Sequence, residues 1–170
     1  MHHLSSTDNA PILHLVCGKI GAGKSTLSQQ LAAQPRHVLI SEDAWLAALY
    51  PDQIYSVADY LQRAAALRGA LTRHVCAILQ AGVSVVLDVP FNTRAARAWG
   101  RELFESAGVA HQLHFLDVAD AICKARLHAR NARGEHPFQP SDEAFEQITR
   151  HFVAPAQEEG FVVIRHSQEA

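Results

Sequence analysis

Apolar and polar positions follow two rhythms along this chain. Compact apolar runs recur at "PILHLVC" (11–17), "HVLI" (37–40), "VSVVLDV" (83–89), "HQLHFLDV" (111–118) and "FVVIRH" (161–166). All are of strand length, which predicts five buried strands. Between them the spacing turns helical. "KSTLSQQLAA" predicts a helix that ends near Pro35, and "EDAWLAALY" a short one that stops at Pro51. A long helix is predicted over 57–82, with Leu61, Leu67, Leu71, Val75 and Ile78 or Leu79 on one face and Gly82 past its end. Thr93 to Ala107 predicts a helix with Ala96, Trp99 and Leu103 on one side, and Ala119 to Ala132 an arginine-rich one. "SDEAFEQITRHFV" predicts a last helix, capped by Ser141, with Phe145, Ile148 and Phe152 sharing a face. "RGEHPFQP" (133–140) reads as a mobile loop and "PAQEEG" as a turn. Alternating strands and helices imply an α/β domain of parallel strands with right-handed crossovers and helices on both faces. It spans 11–166 behind a polar lead, 1–10, without repeats or linkers.

Composition narrows the class. The 170 residues suit one domain with a substantial core. With 15 basic against 17 acidic residues and no basic run, the chain lacks the footprint of a constitutive nucleic-acid binder. The polar opening "MHHLSSTDNA" reads neither as a secretory signal nor as a membrane span. Cys17, Cys76 and Cys123 form no metal-ligand spacing and read as reduced thiols of a cytoplasmic protein.

The most specific chemistry lies where the first strand meets the first helix. Gly18 to Ser25, "GKIGAGKS", fits G-x4-G-K-[ST], the phosphate-binding loop. The loop from Gly18 through Lys19, Ile20, Gly21, Ala22 and Gly23 can turn successive backbone N–H groups inward around an anion. Lys24 supplies a mobile charge for the β and γ phosphates, Ser25 a hydroxyl for Mg²⁺, and Thr26 continues the helix whose N-terminus faces the anion.

Ligands of open α/β sheets bind beyond the carboxyl ends of the strands. Glu42 and Asp43 follow the second strand, Asp88 and Asn92 the third, and Asp117 the fourth. Asp43 is the candidate general base for an acceptor hydroxyl; the alternative is a charge that favours a helix N-terminus. Asp88 closes an apolar strand, as a carboxylate that holds Mg²⁺ through water does; it could also orient the acceptor or simply end the strand. Asp117 reads as a turn or cap residue. Arg126, Arg130 and Arg133 fall at i, i+4 and i+7 before the Gly/Pro loop. Helix, loop and helix over about 126–142 resemble a closing lid that brings arginines onto a transferring phosphoryl group; a solvated basic face is the alternative. Arg94 and Arg97 are weaker candidates for acceptor contacts. His14, Trp45 and Trp99 read as packing residues, and loops near Phe91 and Phe138 as pocket walls.

Together these residues resemble a family of small P-loop kinases, AAA-type ATP-binding proteins grouped with polynucleotide 5′-hydroxyl kinase domains, zeta toxins and chloramphenicol phosphotransferase. The resemblance covers about residues 12–164. It rests on "GKIGAGKST", "ISEDAW", "VVLDVPFNTRAARAW", and "CKARLHARNARG" leading to "PAQEEGF". It implies a P-loop NTPase three-layer sandwich with five parallel strands in the order 2-3-1-4-5, and ATP with Mg²⁺. It places Asp43 at the catalytic carboxylate, Arg126 and Arg130 at the lid arginines, and Glu158 and Glu159 beside the adenine. Polynucleotide kinases often carry an arginine three residues after that aspartate, where this chain has Leu46, and Glu42 stands at a commonly basic position. Both departures point away from a nucleic-acid acceptor. The sequence thus leads to a kinase acting on a hydroxyl of a small molecule, with Lys24, Asp43 and Arg130 as catalytic residues and Ser25 and Asp88 as metal ligands. Two alternatives are a slowly hydrolysing ATP-binding module that acts through a protein partner, and a nucleic-acid 5′-hydroxyl kinase.

Overall fold

The computed structural model describes residues 10–134 and 139–168. Five strands, β1 (Ile12–Gly18), β2 (His37–Ser41), β3 (Ser84–Asp88), β4 (Ala110–Val118) and β5 (Val163–Gln168), form one parallel sheet in the order β2-β3-β1-β4-β5. Six helices connect them: α1 (Lys24–Ala32), α2 (Glu42–Leu49), α3 (Val57–Gln80), α4 (Arg94–Ala107), α5 (Asp120–Arg133) and α6 (Asp142–Thr149). The chain reverses its direction of travel across the sheet beside the central β1. The loop that leaves β1 therefore opens at the topological switch point, on the carboxyl edge.

Two clusters cover the two faces. Leu13, Leu15, Cys17, Val85, Leu87 and Leu113 pack against α3 and α4. Ala22, Leu116, Val118, Cys123, Leu127 and Phe145 form a smaller cluster on the other face, joined by Leu27 of α1. The approach of α4 to the sheet is close. A Cβ at Gly100 would lie 2.8 Å from Leu15 Cδ1 and 3.1 Å from Phe91 Cε1. Local chemistry caps the helices. Ser41, Ser56, Thr93 and Ser141 each accept a backbone N–H of the turn they open.

The boundaries differ from the sequence pattern where tertiary contacts draw residues away. The buried stripe of α3 runs Ala64, Leu67, Leu71, Val75 and Leu79, while Leu61 is exposed. A helix of 24 residues is far longer than a five-residue strand, so its first turns pass beyond the sheet edge. α6 ends at Thr149 rather than 153, because Phe152 leaves to stack on Phe115 at 6.1 Å and Val153 N–H donates to Asn92 O at 2.8 Å. β5 starts at Val163 rather than 161. Phe161 instead packs edge-on against Phe104, beneath the Arg101 guanidinium. Trp45, read as a packing residue, is partly exposed on α2, whereas Trp99 stacks on Phe91. Of the loop expected at 133–140, residues 135–138, Phe138 among them, lie outside the described residues, as does most of the polar lead. No helix among the described residues is long and apolar enough to cross a membrane.

One polar feature crosses the sheet. His14 Nδ1 lies 3.1 Å from His114 Nε2, and His114 Nδ1 lies 3.1 Å from His166 Nε2. The register sets His114 level with Val16 and His166 level with Leu116, so the imidazoles step two residues up at each strand. His37 extends the row, its ring centroid 5.3 Å from that of His14. Burial first, then the neighbouring imidazoles, lower both His14 and His114 to about 4. The charged groups acting on His14 are His114 and His37, and on His114, His166. Both folded values lie below that of a free imidazole, so between these limits the unfolded chain binds protons that the folded chain does not. Stability is then complete above about pH 6.5 and falls as the pH drops toward 4. Melting temperatures from pH 7 to pH 5 are expected to decline in the native protein and to flatten in the His14→Gln/His114→Gln double variant. An unchanged slope in that variant would rule out the imidazole row as the cause.

Candidate functional site

The glycine-rich segment folds as the loop its sequence predicts. Gly21 and Gly23 take positive φ values of 79° and 101°, and α1 begins at Lys24. Ala22 N–H donates to Lys19 O at 3.0 Å, which tightens the turn. At Gly21 there is no room for a side chain, since a Cβ would lie 2.8 Å from Cys123 O. The loop is closed by α5, where Lys19 pairs with Asp120 at 2.6 Å and Arg126 Nη1 donates to Ala22 O at 3.0 Å. Lys24 folds back into it, donating to Gly18 O at 2.6 Å and Lys19 O at 3.0 Å. Burial lowers its pKa; the Cys17 thiol, Asp88, Cys123 and Asp43 oppose that shift. A half-buried ammonium that donates to carbonyl oxygens alone among the described residues has charge to spare for an anion.

Two neighbouring strand ends supply the surrounding groups. Asp88 closes β3, and the Ser25 hydroxyl at the start of α1 acts on its carboxyl. Burial raises its carboxyl, with Asp43 and Glu42 adding to the rise and Ser25 and Lys24 opposing it. The Ser25–Asp88 oxygens fit Mg²⁺, which takes one or two protein oxygens and completes its shell with phosphate and water. No group of three or more His, Cys, Asp or Glu among the described residues is arranged to hold a metal. Asp43 is exposed on the first turn of α2, and its charge reaches both Lys24 and Asp88. Asn92, two residues beyond the apolar Val89–Pro90 step, has its Oδ1 2.9 Å from Gly18 N. It thereby fixes the first glycine of the loop, a role the sequence did not reveal.

The arginine helix is continuous from Asp120 to Arg133, so Arg126, Arg130 and Arg133 lie along one side. Arg126 reaches the loop and the Gln168 side chain at the end of β5; Arg130 is half-buried one turn further on. α6 packs on α5 through Phe145, the Lys124–Glu146 pair at 2.8 Å and the His128–Asp142 pair at 2.6 Å.

Several candidates serve elsewhere. Arg97 is fully buried and donates to Glu159, Phe91 O, Val153 O and Ala154 O, so it cannot meet an acceptor. Arg94 pairs with Glu158 at 2.8 Å. Glu158 and Glu159 therefore lie along α4, and Gln168 shares Arg126 with the loop. Burial alone would raise the Glu159 carboxyl, but Arg97 and the Ala156 N–H outweigh it and hold it low. Asp117 is a strand residue, not a cap, and pairs with Arg165 across β4 and β5. That pair lines a cleft of about 640 Å³ which shares no residue with the phosphate loop. Phe91 is core rather than pocket wall. Glu42 and Leu46 are both buried, so neither can select for or against a nucleic-acid acceptor.

A parallel sheet in the order 2-3-1-4-5, with a glycine loop and lysine at its switch point, defines a P-loop nucleotide-binding fold. The sequence profile of the AAA-domain family matches residues 13–155, and the chain belongs to that family. Among solved structures it is similar to a candidate kinase from Chloroflexus aurantiacus, with 22% identity, a TM-score of 0.73, and coverage of 94% of this chain and 86% of that one. It is also similar to the APS kinase CysC of Mycobacterium tuberculosis in complex with AMPPNP and APS, with 19% identity, a TM-score of 0.60, and coverage of 95% and 90%. A third likeness is to a chain of the Pnkp1/Rnl/Hen1 RNA repair complex, with 17% identity, a TM-score of 0.65, and coverage of 86% of this chain and 45% of that one. These likenesses concern the fold. No curated protein matches.

Two substitutions test the framework of the site. Glu159→Gln keeps the shape but leaves the buried Arg97 guanidinium without its counter-charge, and is expected to lower unfolding free energy in urea by about 3 kcal/mol. Gly21→Ala meets both the Cys123 carbonyl and an unfavourable φ, and is expected to melt at least several degrees lower and to bind MgADP more weakly, by calorimetry.

Proposed function

We propose that the chain is an ATP-dependent phosphotransferase that moves the γ-phosphoryl group to a hydroxyl of a small-molecule acceptor. One observation carries the reading. An exposed carboxylate, Asp43, and a second, Asp88, act on the same lysine at the mouth of a glycine-built anion loop. Gripping a nucleotide requires the loop and lysine alone. A carboxylate on the helix that follows β2, with its charge within reach of that lysine, is what an attacking hydroxyl needs.

In this reading the loop N–H groups and Lys24 hold the triphosphate. Asp43 takes the proton of the acceptor hydroxyl as its oxygen attacks. The new O–P bond forms as the bond to the β,γ-bridging oxygen breaks, and ADP leaves with that electron pair. Arg130, with Arg126 and Arg133 on the same side of α5, opposes the charge on the transferring oxygens, while α5 and α6 limit access of water. Ser25 and Asp88 would hold Mg²⁺, whose charge neutralises the phosphate oxygens. The near-neutral charge balance supports a small acceptor over a polynucleotide.

The test is MgATP turnover with and without sugars, nucleosides, aminoglycosides, aryl alcohols and 5′-hydroxyl oligonucleotides. A small alcohol is expected to stimulate turnover, and Asp43→Asn to lower the stimulated rate about 100-fold or more while MgADP binding persists. Stimulation only by oligonucleotides, steeply weakened by salt, would move the acceptor to nucleic-acid ends. Nucleotide binding with turnover indifferent to Asp43→Asn and to every acceptor would leave an ATP-binding module instead.

A further inference from the structure

Glu42 is the first helical residue of α2 and only 1% exposed. Charges at that position are ordinarily solvated, and a carboxylate is rarely buried unless it is fully partnered. Among the described residues, α3 supplies the side-chain partners of the carboxylate. Tyr60 Oη donates to Glu42 Oε1 at 2.6 Å, Arg68 Nε to Oε2 at 2.8 Å, and Arg68 Nη2 to Oε1 at 3.3 Å. The two-pronged arginine contact fixes the carboxylate in orientation as well as position.

The network does not stop at Glu42. The Arg68 guanidinium lies 5.7 Å from the Trp99 ring, and Trp99 donates from Nε1 to Thr72 Oγ1 at 3.0 Å. Trp99 stacks on Phe91 at 5.9 Å. Phe91 N–H donates to Val16 O at 3.2 Å, and the next residue, Asn92, accepts from Gly18 N–H at 2.9 Å. A line of partly buried contacts therefore joins the first turn of α2 to the first glycine of the phosphate loop. Asp43 follows Glu42 directly, and its charge reaches Tyr60 as well as Asp88 and Lys24.

We infer that Arg68 and Tyr60 are positioning residues for phosphoryl transfer: through Glu42 they set the first turn of α2, and so the placement of the Asp43 carboxylate relative to the phosphate loop. This rests on the phosphotransferase reading above. A buried ion pair contributes little net stability, since desolvation consumes most of the attraction, but its geometry holds the acceptor side in register with the donor side. In-line transfer is sensitive to that register, because a misplacement of about 1 Å can cost about 100-fold.

The experiment is a double-mutant cycle read by MgATP turnover, with water as acceptor and with any active alcohol of the panel above. Arg68→Met is expected to lower kcat about 30-fold and Tyr60→Phe about 5-fold, with KM for ATP within about 2-fold of the native value. Arg68→Lys, which keeps the charge but not the fork, is expected to recover only part of the loss. In an Asp43→Asn background, Arg68→Met is expected to add less than about 2-fold, because its effect passes through Asp43. An equal loss in both backgrounds, or a rise in KM for ATP at constant kcat, would overturn the inference. Should Arg68→Met fold poorly, Glu42→Leu/Arg68→Met removes both charges together and keeps the cycle readable. Amide hydrogen exchange over residues 42–49 is expected to quicken at least about 5-fold in Tyr60→Phe and Arg68→Met, and unchanged exchange would also overturn the inference. Native turnover that Asp43→Asn leaves unaltered would be a failure of the phosphotransferase reading itself, visible without any change at Arg68.

Discussion

A guanidinium with no exposed surface holds the carboxyl edge of this molecule together. Arg97 lies on the first turns of α4, and its donors are shared among Glu159, the carbonyl of Phe91 behind β3, and the carbonyls of Val153 and Ala154 where the chain returns from α6. A buried cation leaves no freedom in how this is done. Every N–H must find an oxygen, or the desolvation cost alone would undo the packing. The segment after β3, the return from α6 and the start of α4 are thereby fixed to one another. Asn92 then carries that fixed frame to the phosphate loop, accepting from Gly18 N–H while its own carbonyl accepts from Val153 N–H.

The site inherits its order from this frame. The loop can wrap an anion because Gly21 lets α5 approach and because Lys24 is held by the loop's own carbonyls, ready to exchange them for phosphate. On one side lie Ser25 and Asp88, the oxygens proposed for Mg²⁺. On another, α2 presents Asp43, held by the buried partnership of its neighbour Glu42 with α3. Above, α5 brings Arg126 onto the loop. In the proposed reading, donor, metal and acceptor functions reside on different elements, and two salt bridges with a buried partner, Arg97–Glu159 and Arg68–Glu42, set the elements against one another.

Much of this was legible in the order of residues. Strand and helix alternation, the glycine–lysine–serine register and the i, i+4, i+7 arginines all depend on local spacing, and local spacing survives folding. The misreadings share a different cause. Arg94 and Arg97 were judged by charge and by neighbouring motifs, yet their acidic partners lie more than fifty residues away along the chain. Glu42 and Leu46 were read as facing an acceptor, because a helix following a strand end offers no sign of which of its faces turns inward. Asp117 resembled a turn residue until β5 supplied Arg165. The histidine row is written in four separate strands, and no window of sequence contains it.

The sequence by itself determined the fold class, the elements and the phosphate loop. Those properties rest on short-range periodicity and on glycine's conformational reach, which neighbouring residues settle among themselves. Tertiary structure alone decided which charges stay at the surface and which are consumed inside: that Arg97 and Glu42 are framework, that Asn92 clasps the loop, and that Asp43 stays exposed with its charge within reach of Lys24. The physical reason is burial. A charge drawn out of water must find partners wherever the fold brings them, and that choice is made across the sheet rather than along the chain.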